Sequence, residues 1–219
     1  MPRLVVDLVG TVFGFDPLRQ RLAAIGAPDH ALELWLAEAE RDQLALALSG
    51  DWAPLEEVLA ASLPRVLAAF PRASTDPGRQ ALVLKGLSVL NPLEGVQDAL
   101  QSLANAGFRL ETLSLTSDSV ATSLLDRSGL RENFGAIHAG PAPRMLATLG
   151  REGDTWLATA RGSLLAIARA TGLHTVWISR RERALSAAMP APDLVAPDLP
   201  ALAQRLTHRT AVVEGGHVA

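Results

Sequence analysis

The chain has 219 residues, a formal net charge of −3 and 48% hydrophobic residues, enough for one sizeable core or for a core with a smaller appended domain. It has no cysteine, which excludes disulfides, thiolate nucleophiles and Cys-ligated metal centres. Its arginines are scattered except for Arg180-Arg181-Glu182-Arg183, a cluster that reads as a solvated loop and gives no nucleic-acid footprint.

Arg3–Asp7 reads as a short buried strand, with Leu4-Val5-Val6 as an unbroken apolar run. The start, Met1-Pro2-Arg3, leads into this strand and not into a signal-peptide core. Asp16-Pro17 opens a helix, with the acid at the cap and proline in the first turn. From Pro17 to about Gly86 no strand alternation occurs. Leu32, Leu34, Trp35 and Leu36 recur at helical spacing, as do Leu44, Leu46 and Leu48, then Leu55, Val58 and Leu59, with breaks at Ser49-Gly50-Asp51 and Pro71-Arg72-Ala73-Ser74. After Asn91-Pro92 helices and strands alternate. Helices are predicted over 93–106, 118–128, 143–149, 163–170 and 199–206, and strands over 108–113, 134–138, 156–158 and 174–178. Gly107, Gly129, Gly150 and Gly172 stand where helices end. Such alternation predicts an α/β fold, a parallel sheet with crossover helices, and the helical insert after the first strand predicts a cap on that core. The expected boundaries are 1–15 and 88–219 for the core and 16–87 for the cap. The tail from Thr210 to Ala219 is expected to be peripheral, fraying at Gly215-Gly216. No stretch reaches the roughly 20 apolar residues of a membrane span, so a cytoplasmic protein is expected.

Asp7-Leu8-Val9-Gly10-Thr11 places an acid and a tight Gly-Thr turn at the carboxyl end of the first strand, where open α/β sheets put their chemistry. Spacing alone also allows a simple cap, in which the carboxylate accepts turn N–H groups. Ser114, at the end of the second strand, is open in the same way. It either binds a ligand or leads a helix from a Ser/Thr-rich turn with Thr116 and Ser117. The five histidines have no metal-ligand spacing, and His138, at a strand end, either faces a pocket or is structural. Lys85 is the only lysine, so a mechanism needing one must use it. No Gly-x-Ser-x-Gly elbow, Walker loop or Gly-x-Gly-x-x-Gly turn is present.

The first motif, with Leu34-Trp35, Leu46–Trp52, Phe108-Arg109-Leu110 before Thr112-Leu113-Ser114, Pro192–Val195 and Pro197-Asp198-Leu199, resembles the 2-haloacid dehalogenase branch of the haloacid dehalogenase (HAD) superfamily. The resemblance runs through nearly the whole chain. It implies a HAD-like Rossmannoid core with a helical cap, a small-molecule ligand, no nucleic-acid or membrane partner and a possible homodimer. It casts Asp7 as a nucleophile that forms an ester later cleaved by water, Thr11 as the residue orienting it, and Ser114 as a hydroxyl for the substrate's carboxylate or phosphate.

The same resemblance marks departures. Val9 stands where phosphatase members have a general acid. Leu115 replaces an asparagine, Gly140 in Gly140-Pro141-Ala142-Pro143 replaces the motif lysine, Leu164 replaces the fourth-motif acid, and Leu36 replaces the cap arginine that binds a carboxylate. Arg144 and Arg161 are the cations able to stand in for the lysine; Arg41, paired with Glu38 or Glu40, is a weaker substitute for the cap arginine. Asp154 should lie at the far end of its strand. Neither a metal nor another cofactor is expected, because the hard oxygen ligands reduce to Asp7 and backbone carbonyls. An Asp7 without its lysine should have a raised pKa. Three functions follow: a degenerate relative that binds or regulates without ordinary hydrolysis, an active hydrolase forming an aspartyl ester at Asp7, or an enzyme repurposed for a less polar small molecule, with Asp7 or His138 in acid–base work.

Overall fold

The computed structural model describes residues 2–181 and 184–215, with side chains through residue 208. Six parallel strands form one sheet in the order β3-β2-β1-β4-β5-β6. They are β1 (Arg3–Asp7), β2 (Arg109–Ser114), β3 (Ile137–Ala139), β4 (Thr155–Thr159), β5 (His174–Ile178) and β6 (Leu194–Ala196). Leu4, Val5 and Val6 are wholly buried because β1 is central and covered on both faces, which is why its sequence is continuous rather than alternating. The chain order reverses between β1 and β4. In open α/β sheets the crevice at such a reversal, outside the carboxyl ends of the strands, is where ligands bind.

The helical insert consists of α1 (Asp16–Ala24), α2 (Ala31–Ser49), α3 (Leu55–Ala68) and α4 (Pro77–Leu84). Pro17 opens α1, and Gly50, at φ +84°, stops α2. Trp35 on α2 is wholly buried. Its indole N–H donates to the Leu59 carbonyl at 3.0 Å and to Ser62 Oγ at 3.1 Å, and Ser62 Oγ donates to the Val58 carbonyl at 2.8 Å, so one side chain fixes α2 against α3. Trp35→Phe keeps the apolar bulk and deletes the donor. It should cost about 1–2 kcal/mol and lower Tm by roughly 3–6 °C for a chain of this size, measured by calorimetry.

The core helices are α5 (Val96–Asn105), α6 (Asp118–Ser128), α7 (Ala142–Gly150), α8 (Gly162–Ala170) and α9 (Leu199–Gly215). α8 packs on β4 and β5, α5 on β2 and α9, and α6 on β3. Three elements differ from expectation. β3 starts at Ile137 rather than 134, because a 3₁₀ turn over Arg131–Asn133 feeds Phe134 into the core before pairing begins. β6 is a three-residue edge strand too short to leave a periodic signal, and α9 runs beyond 206. In the predicted loop after β5, Glu182 and Arg183 lie outside the described residues, as does the tail from Gly216. No described helix is long and apolar enough to cross a membrane.

Candidate active site

Asp7 ends β1, and Thr159 ends the neighbouring β4 on the other side of the order reversal. The Thr159 hydroxyl donates to Asp7 Oδ2 at 2.8 Å and accepts the Arg161 backbone N–H at 3.0 Å. Thr11 Oγ1 accepts the Ala160 N–H at 3.0 Å, tying the turn after β1 to the end of β4. That turn needs Gly10, whose φ of +100° is unfavourable for any side chain, and whose N–H donates to the Phe13 carbonyl at 2.8 Å.

Arg161, one of the two cations named from sequence as stand-ins for the lysine, folds onto Asp7. It is 4% exposed against 1% for Asp7, so both charged groups are out of water. Its Nη2 donates to the Val9 carbonyl at 3.1 Å. Its Nε lies 3.5 Å from Asp7 Oδ2, a charge contact too poorly aligned to count as a hydrogen bond. Asp7 Oδ1 is buried and has no hydrogen-bond partner. Burial pushes the Asp7 carboxyl above its ordinary range, while the Arg161 guanidinium and the Thr159 hydroxyl pull it partway back.

Leu115, Arg161 and Leu164 line one cleft between core and cap, which α2 faces with Glu40, Gln43, Leu44 and Ala47. The other named positions lie elsewhere. Val9 contributes its carbonyl to Arg161, and Leu36 lines a second, more polar hollow with Phe15, Arg19, Arg180 and Arg181. Arg144 lines an outer hollow beside Pro143 and Trp52. Gly140 donates its N–H to the Ser114 carbonyl at 3.3 Å. Ser114 itself is wholly buried, and its hydroxyl shares a 2.8 Å hydrogen bond with Thr116 Oγ1, the local Ser/Thr turn that its sequence allowed.

Lys85 is exposed at the end of α4. Arg41 is exposed and paired with Glu38 and Asp42. Asp154 precedes β4 and contacts His174 Nε2 at 3.5 Å. His138 Nε2 lies 2.7 Å from Glu111 Oε2, within a charged cluster on the sheet.

Sequence reasoning did not single out Thr159, Ser163, Glu40 or Gln43 as site residues. Thr159 follows from register, since β4 pairs with β1 up to Val6–Ala158 and the next pair is Asp7 with Thr159. Glu40, Gln43, Leu44 and Ala47 follow the helical spacing i, i+3, i+4, i+7, one face of α2 carrying an acid. Ser163 donates to Glu40 Oε1 across the cleft, a direct link between core and cap.

A parallel sheet in this order, a helical cap inserted after β1 and an acid at the end of β1 define the HAD-like α/β fold. Solved structures share it. An L-2-haloacid dehalogenase from Xanthobacter autotrophicus with chloropropionic acid covalently bound superposes with a TM-score of 0.79 at 18% identity, over 93% of this chain and 97% of that one. A further L-2-haloacid dehalogenase gives 0.84 at 19% identity, over 94% and 98%. A HAD-hydrolase from Bacillus subtilis bound to magnesium gives 0.70 at 14%, again over 94% and 98%. No family model matches the sequence, and no curated protein matches it.

Magnesium does not fit the residues here. Asp7 Oδ2 and the Val9 carbonyl, at the end of β1, are already contacted by the Arg161 guanidinium, which leaves Asp7 Oδ1 as the carboxylate oxygen still open. Residues 159–164 supply no carboxylate to complete a hard-cation shell. Among the described residues no group of three or more His, Cys, Asp or Glu is placed to hold a metal ion.

Proposed function

We propose that this HAD-fold protein does not carry out ordinary dehalogenase or phosphatase turnover and instead binds a small molecule in the cleft between core and cap. One observation carries the reading. The Asp7 carboxylate is wholly buried, and its Oδ2 is held by Thr159 and faced by Arg161 inside the protein. A nucleophile has to be both ionised and reachable; here burial favours the neutral carboxyl, and the carboxylate is enclosed beside Thr159 and Arg161. The apolar residues at positions 115 and 164 turn the neighbouring cleft toward apolar ligands.

A second reading has its own support. Asp7 Oδ1 has no hydrogen-bond partner, so it is the oxygen left for attack, with Arg161 supplying the positive charge that a lysine would give. The two readings separate in one assay, halide and phosphate release from 2-haloacids and simple phosphate esters by wild type and Asp7→Asn, with and without Mg2+. The binding reading predicts no release above background from either protein. Release that Asp7→Asn abolishes would instead establish the aspartyl-ester hydrolase.

A further inference from the structure

The cleft is narrow, with a cavity volume of about 40 Å³, and it opens to solvent on one side. Leu44, Trp52, Leu115, Leu164 and Ile167 make most of its wall. Its polar end comes from one face of α2. Gln43 Oε1 is shielded from solvent and receives no hydrogen bond, which leaves a buried acceptor wanting a donor. Glu40 accepts the Ser163 hydroxyl through Oε1 only.

The described contacts of the Arg161 guanidinium run inward, Nη2 to the Val9 carbonyl and Nε toward Asp7. Neither Arg41 nor Arg144 lines the cleft; Arg41 is committed to Glu38 and Asp42, and Arg144 lies in the outer hollow. Two acceptors at the polar end are left open, Gln43 Oε1 and the second Glu40 oxygen. We infer that the cleft selects a small, largely apolar molecule whose polar end donates hydrogen bonds, an alcohol or a protonated amine, and discriminates against a carboxylate. This rests on the reading of the cleft as a ligand site. A carboxylate head would bring a second negative charge beside Glu40 and leave Gln43 Oε1 without a donor, whereas an ammonium can donate to both and a hydroxyl, with its one proton, donates to Gln43 Oε1 without adding charge.

The test is isothermal titration of the full chain with three probes of equal chain length, n-hexylamine, n-hexanol and hexanoate, at neutral pH and constant ionic strength. The amine and the alcohol should bind about tenfold or more tighter than hexanoate. Glu40→Gln should bring the amine to the level of the alcohol and leave alcohol binding in place. Gln43→Leu should weaken both several-fold, and serves alone if Glu40→Gln does not fold. Hexanoate binding as tightly as either donor probe would overturn the head-group assignment while leaving the cleft a ligand site. If none of the three binds, the cleft reading falls, and this inference with it.

Discussion

Arg161→Ala is expected to lower stability by about 3 kcal/mol at mildly alkaline pH, a fall in Tm of roughly 6–12 °C. The change strips a buried carboxylate of its counter-charge and the Val9 carbonyl of a donor, and both groups stay out of water. The loss should depend on pH, with a definite sign. Arg161 lowers the Asp7 pKa, so removing it leaves the carboxyl still further above its unfolded value. A raised folded pKa means the native state holds a proton that the unfolded chain releases. Stability is then fully retained below the unfolded pKa of about 4 and lost as pH rises through the folded one. Wild type should show this decline, and Arg161→Ala should show it up to a higher pH. Asp7→Asn removes the titrating group and should flatten the profile, and at alkaline pH the double variant should be more stable than Arg161→Ala alone. Denaturant melts across the pH range check each part. A pH-independent loss in Arg161→Ala would mean that its packing matters and its charge does not.

Glu111→Ala should cost about 3–5 kcal/mol without touching the cleft. Glu111 is 1% exposed in β2, yet it faces an imidazole and two guanidinium groups: His138 Nε2 at 2.7 Å, Arg109 Nε at 2.8 Å and Arg3 Nη1 at 3.7 Å. Arg109 is close but misaligned, since Glu111 Oε1 makes no hydrogen bond, so His138 provides the directed contact. Arg3 continues the cluster across the sheet. It donates to Thr155 Oγ1 from Nε at 3.1 Å and from Nη2 at 2.9 Å, and also pairs with Glu152. One buried acid thus links β1, β2 and β3, and through Arg3 also β4. Deleting it leaves Arg3, 11% exposed, among apolar strands without its buried partner. A drop in Tm of roughly 10 °C or more is expected, with probe binding in the cleft unchanged in the folded protein. A variant that melted normally but lost binding would place His138 and Glu111 in the functional machinery instead.

Much of the architecture was legible in the sequence because it rests on local rules. The buried run Leu4-Val5-Val6, the acid after it and the helical spacing from Leu32 to Leu59 identify a central strand and a helical insert. The glycines closing the helices fix the later α/β units. β6 escaped because three residues carry no period, and the start of β3 moved because Phe134 is buried by a turn, a tertiary effect.

The candidate site was legible in position and not in wiring. Asp7, Thr11, Leu115, Arg161 and Leu164 can be named from spacing and resemblance. That Arg161 folds back onto Asp7 and the Val9 carbonyl depends on the path of the chain after β4, which no local pattern encodes. Arg144 and Arg161 are both candidates, from sequence, to replace the lysine's charge. One now sits in the core and the other beside an outer hollow, because Arg161 leads α8 directly off a central strand whereas Arg144 lies within α7, which follows β3. Glu40 was visible only as a partner for an exposed arginine, and its tie to Ser163 joins two segments far apart in the chain.

The central claim is that Asp7 is held inside the protein as an internally paired group and does not act as a nucleophile. Its most direct test is mass spectrometry of the Asp7 peptide after prolonged incubation of the protein with L-2-chloropropionate in heavy-oxygen water. An aspartyl ester cleaved by water at its acyl carbon leaves a solvent oxygen in the Asp7 carboxylate at each turnover. The account predicts an unlabelled peptide, the same as in a control without haloacid. Heavy oxygen at Asp7 that depends on the haloacid would contradict it.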